Sequence, residues 1–150
     1  MKIKVEDLNG KALDFATAVA LGYIPEVLPG NVLRSPGRPA EALGSGEIKL
    51  DHPTHSTFFL TGFSPSRDDE DGWAIVGPMV SKHRISLDST IDTEGGYLAI
   101  CKGGEHYGVS GYGDTAAFAI CMCIVSMHVE EDDMIEIPDE VNLKINGGDA

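Results

Sequence analysis

Apolar positions recur along this chain with two periods, and those periods predict most of its elements. Ala12, Phe15, Ala16 and Val19 fall at i, i+3, i+4 and i+7, one stripe of a helix over 9–21. Asn9 stands before it as a cap and Gly22 after it as a left-handed stop. Over 115–128 nearly every position is apolar, so a helix there has no polar face to give to water and must be central. Asp114 is its expected N-cap. Alternation, or runs of β-branched and aromatic residues, predicts strands at 2–5, 56–62, 84–87, 97–101 and 134–137, the last ended by Pro138. A shorter helix is expected near 72–81, carrying Trp73. From Pro25 to Gly46, four prolines (Pro25, Pro29, Pro36, Pro39) alternate with Gly30, Gly37, Gly44 and Gly46, which reads as a loop or insertion. The expected fold is α+β: one domain over 1–150, with a small mixed, mainly antiparallel sheet packed against the two main helices.

Length and composition agree with one globular core, since the chain has 150 residues, 42% of them hydrophobic and 23% charged. No apolar run reaches the roughly 18 residues needed to span a bilayer, and MKIKVEDLNG has no apolar stretch that would make it a signal peptide. A cytoplasmic location without membrane contact is therefore expected. Twenty-four acids against 11 lysines and arginines give a net charge of −13. Eight of the acids lie in 129–150 beside one lysine, so an acidic, frayed C-terminal tail is expected. Such a charge repels phosphate backbones and argues against direct nucleic-acid binding. By contrast, 72–113 is close to neutral, with four acids, three bases and two histidines.

Two constellations carry candidate binding chemistry. The glycine- and tyrosine-rich run 103–113 feeds the central helix, and glycines beside a helix N-terminus let a ligand approach backbone N–H groups. His106, Tyr107, Gly111, Tyr112, Gly113, Asp114 and Thr115 belong to it; an ordinary connector has the same composition. The second set is Trp73 with His83 and Arg84, joined by the hydroxyls of Ser64 and Ser66 in the turn ahead of the tryptophan. There an indole could stack on a base and a guanidinium fork onto phosphate, or the tryptophan could simply fill the core. Catalytic and metal motifs are weak. His52 and His55 are split by Pro53, which argues against the helix needed to align them, and Asp68–Asp71 lacks the alternation of a calcium loop. Ser110 does not complete a nucleophile elbow, and Cys101 with His106 would make a thiolate pair only if the fold joined them. Cys121 and Cys123 point roughly 200° apart on a helix, as buried inert thiols would. No catalytic residue, metal or cofactor is therefore assigned.

Five segments, DLNGKALDFATAVALGY, FSPS, GWAIVGPMVSKHRISL, GDTAAFAICMCIVS and IEIPDEV, together resemble the NinX-like family of tailed bacteriophages. The chain departs from the family pattern at Phe15, where tryptophan is usual, at Val76 for a glycine, at Ala116 for a proline and at Met122 for an arginine. The resemblance implies a phage accessory protein acting in the host bacterial cytoplasm. By analogy with the genomic setting of such proteins, it implies one that counters host defence by sequestering a nucleotide-like signal. The expected partners are accordingly a small nucleotide-like ligand, or a host defence protein docked on the acidic tail. A small nucleotide-processing hydrolase is a third reading, and a homodimer or higher homo-oligomer the expected assembly.

Overall fold

The apolar helix expected over 115–128 organises the molecule. In the computed structural model, which describes residues 2–28, 47–90, 96–129, 134–138 and 141, α3 runs from Ala116 to Ser126 and buries Ala117 and every residue from Ala119 to Val125. It is covered on one side by a three-stranded sheet and on the other by α1, Gly10–Ala20, with α2, Glu70–His83, crossing nearby. The absence of a polar face on α3 is thus accounted for. Its cap is Thr115, whose hydroxyl accepts from Phe118 N at 3.2 Å; Asp114, the expected cap, stands one residue too early.

The fold is α+β, as expected, but its strands form three small antiparallel sheets instead of one. β1 (Lys2–Lys4) pairs with β8 (Met134–Glu136), Ile3 opposite Ile135. β2 (Ile24–Leu28), β3 (Glu47–Asp51) and β4 (Phe58–Phe59) form the second sheet. The third, which seats α3, has the order β5 (Ile85–Thr90), β6 (Gly96–Cys101), β7 (Ser110–Gly113). Two expectations change here. Pro25, read as the start of a loop, lies in β2; that strand is at a sheet edge, where a missing N–H leaves no ladder bond broken. The rest of the 25–46 loop, from 29 to 46, lies outside the described residues, as does the chain end from 142. The strand expected over 56–62 is only two residues long before a 3-10 turn, Leu60–Gly62.

α1 ends as its sequence predicts. Gly22 takes φ +96°, Tyr23 N donates to Ala18 O at 3.0 Å and Gly22 N to Val19 O at 3.1 Å, closing the last turn. Its burial is broader than one stripe: Ala12 through Ala18 are all buried, including Asp14 and Thr17, while Val19 stays 42% exposed. The second covering surface is the segment around Phe63 and Ser64, tied to α1 by Lys11 Nζ, which donates to Phe63 O and Ser64 Oγ. Ser66 N donates to Asp14 Oδ1 at 3.0 Å. α2 is longer than expected and is capped by Asp69, whose side chain accepts from Gly72 N.

Candidate functional site

The end of α2 is unusual. Its closing residue, Arg84, sits at φ 52°, ψ 55°, the left-handed region where glycine or asparagine is the ordinary occupant. Holding a β-carbon there costs about 1 kcal/mol or more, and the surroundings fix it. Lys102 N donates to Arg84 O at 3.0 Å, and the Cys101 thiol donates to His83 O at 3.3 Å and to Gly103 O at 3.2 Å. A β-carbon on Gly103 would fall 3.2 Å from Arg84 Cδ, so that glycine leaves the arginine stem its place. These contacts clamp the end of α2 to the β6–β7 turn, residues 102–109, and so fix Arg84 and His83 opposite His106.

Between these elements and the C-terminal end of α3 lies a cavity of about 770 Å³. Its polar wall is Lys82, His83, Arg84, Glu105, His106 and His128; Ala20, Leu21, Met79 and Ile124 form its apolar part. The imidazole of His106 is central, with ring centroids 6.4 Å from His83 and 5.7 Å from His128. Glu105 Oε1 approaches His106 Nε2 at 3.5 Å from a largely exposed position. Desolvation, followed by the charge of Lys82 and the neighbouring rings, lowers the pKa of His83 below the ordinary imidazole value. His128 is exposed by area, but its ring stands at the cavity wall, where desolvation and His106 lower its pKa too, against a smaller opposing pull from Glu105. Cations at helix C-termini also complement the helix dipole, which accounts for part of this grouping.

Of the residues singled out from sequence, His83, Arg84 and His106 come together here. The others are placed elsewhere. Trp73 packs against the core and its indole donates to Asp68 Oδ1 at 2.7 Å; it lines neither this cavity nor the two smaller ones described below. Ser64 is buried and Ser66 is bound to Asp14, so the turn before Trp73 serves α1 and not a ligand. Tyr107 is 70% exposed in the turn and does not line the cavity. Gly111 and Gly113 belong to β7, where a β-carbon would strike α3: from Gly111 it would lie 2.6 Å from Met122 C, and from Gly113 2.9 Å from Ala119 N. β7 therefore lies against the side of α3, and at the start of that helix the Thr115 hydroxyl, next to Asp114, takes the Phe118 N–H. Gly111 and Tyr112 also border a second cavity, of about 570 Å³, shared with Lys4, Glu6, Ser110 and, from α3, Met122 and Ser126.

Sequence reasoning missed Lys82 and His128. Lys82-His83-Arg84 is the one place where three basic residues are consecutive, a signal available in so acidic a chain. For His128 no such signal exists, because only the approach of α3 to α2 brings it near. The Cys101 thiol is fully buried, with its proton directed to the His83 and Gly103 carbonyls and not to His106. Burial pushes the Cys121 and Cys123 thiols up to about 12. His52 and His55 stack at 4.2 Å beside Tyr23, and His52 Nδ1 accepts from Thr54 N. A third cavity, of about 330 Å³, adjoins His55 and Phe58. Among the described residues no group of three His, Cys, Asp or Glu side chains is arranged to hold a metal ion, and no helix is long and apolar enough to cross a membrane. Compared with protein-family models and with curated proteins, the sequence matches none.

Proposed function

We propose that this chain is a non-catalytic binder of a small phosphate-bearing ligand, held where the end of α2, the β6–β7 turn and the end of α3 meet. One observation carries the reading: in a chain of net charge −13, five basic side chains from three elements border a single cavity with one acid among its lining residues. Clefts of this volume are the usual size for small-molecule sites. Arg84 adds weight, because a strained guanidinium-bearing residue is held where glycine would be easier. Its planar fork suits phosphate oxygens.

Among the described residues no hydroxyl or thiol side chain lines the wall, so turnover would have to run on its imidazoles and Glu105 with water, and whether the ligand returns intact or cleaved separates capture from turnover. With Trp73 and Tyr107 off the cavity, a nucleotide would rest its base on imidazole and on Leu21, Met79 or Ile124, and recognition would depend chiefly on phosphate. In the setting that the likeness to NinX-like phage proteins suggests, such a binder withdraws a nucleotide-derived host signal and releases it unchanged. Calorimetry with NAD-derived and cyclic nucleotides tests this. Saturable binding, lost at least tenfold in Arg84→Ala and kept in Trp73→Ala, with the ligand recovered intact after heat denaturation, is expected. The absence of heat with every phosphate compound, or recovery of a cleaved product, would overturn it.

A further inference from the structure

We propose that the occupant of this cavity is a multivalent oxyanion of the diphosphate or triphosphate class, and that it enters together with protons taken up by the three imidazoles. The inference rests on the anion-binding reading above and goes past it, by fixing the charge of the ligand and the change of charge in the protein.

The groups facing the cavity come from each element around it. α1 contributes Ala20 and Leu21, neither of which titrates; α2 contributes Lys82, His83 and Arg84; the β6–β7 turn contributes Glu105 and His106; the end of α3 contributes His128. Lys102 is next along the turn but is not part of the wall. The helices α1, α2 and α3 also end here, and each helix C-terminus carries about −0.5 of an elementary charge. With the imidazoles neutral, Lys82 and Arg84 are set against Glu105 and about −1.5 of dipole charge, so the wall is close to neutral and has little hold on a polyanion. With all three protonated it carries about +2.5. A strong anion site therefore exists only in the protonated state.

Desolvation and neighbouring basic groups hold His83 and His128 below the ordinary imidazole range, so these two rings rest unprotonated at neutral pH. An anion seated among the rings turns repulsion between them into shared attraction, and protons follow it in. A single negative charge would satisfy one such proton. Five basic side chains drawn from three elements match an anion with several oxygens and at least two charges.

Calorimetry on the whole chain tests this with two probes, sulfate and pyrophosphate. Sulfate stays a dianion throughout the range, so any pH dependence in its binding belongs to the protein. Titrations at about pH 6 and about pH 8, in buffers of differing ionisation heat, give the proton count; one proton per anion predicts affinity up to about 100-fold weaker at the higher pH. His128→Gln, at an exposed position, and His106→Gln should each lower the proton count and flatten the profile, while His52→Gln, outside the cavity, leaves it unchanged. Equal affinity at both pH values with buffer-independent heats overturns the proton linkage and leaves the capture reading standing. No anion binding at either pH overturns both. Zinc binding near the higher pH, with no anion binding near the lower, makes the cavity a cation site and likewise overturns both.

Discussion

Gly111→Ala separates a packing role for the glycine-rich run from a ligand role. Gly111 lies on the inner face of β7, buried against α3. An alanine β-carbon there would come within 2.6 Å of Met122 C and 2.7 Å of Ala119 O, and closer still to Cys123 N. Carbon atoms rest about 3.5–4.0 Å apart, so strand and helix would have to separate by roughly 1 Å. The obstacles are helix backbone, which has no rotamer to change. α3 cannot retreat freely either, because α1 covers its other side and eight of its residues are buried. Overpacking of this kind costs about 1–3 kcal/mol, occasionally more, and rigid backbone on both sides places this variant at about 3 kcal/mol. For a chain of this size each kcal/mol moves the midpoint about 2–4 °C, so thermal unfolding should shift down by about 10 °C. Urea denaturation followed by far-UV circular dichroism gives the free energy directly. A variant within about 0.5 kcal/mol of the parent would refute the packing argument, and full stability with lost anion binding would return Gly111 to the ligand.

Arg84→Gly should do the reverse, stabilising the fold by about 0.5–1 kcal/mol through release of the left-handed β-carbon while lowering anion affinity at least tenfold; urea unfolding and calorimetry on the same sample check both. Asp14→Ala leaves the Ser66 N–H without its acceptor, while Lys11 keeps Phe63 O and Ser64 Oγ, and should cost about 2 kcal/mol, whereas Asp14→Asn, which keeps an acceptor for Ser66, should stay within about 1 kcal/mol, both read by chemical denaturation. His83 and His128 have folded pKa values below 6.5, so the stability they contribute is complete above that pH and is lost as pH falls through their depressed values. Asp14 runs the other way: burial raises its pKa above 3.8, and the stability linked to its protonated form fades as pH rises through the raised value. Midpoints measured from about pH 7 to about pH 5 should thus fall more steeply in the parent than in the His83→Gln/His128→Gln double variant, and pyrophosphate should offset the fall.

Elements governed by local pattern were legible in the sequence. The all-apolar run of α3 announced a central helix, Gly22 marked the end of α1, and the strands expected at 84–87 and 97–101 are present as β5 and β6. β7 was not legible, because its inward residues are Gly111 and Gly113 and their usefulness lies in the side chains they lack. The turn at Ser64 and Ser66 resembled a ligand loop because its true partners, Lys11 and Asp14, are more than 50 positions away in sequence. Half of the cavity was within reach: Arg84, His83 and His106 carry chemistry that composition exposes. Lys82 and His128 needed the helices to converge, and Trp73 misled because a lone tryptophan with Asp68 beneath its N–H is as well suited to the rim of a core as to a base.

The most direct measurement is the imidazole nitrogen NMR spectrum of the five histidines at about pH 6 as pyrophosphate is added. Resonances of His83, His106 and His128 should move together and saturate, while those of His52 and His55, stacked beside Tyr23 and outside the cavity, stay in place. Stationary resonances from the first three, or an equal drift of all five, would contradict the account.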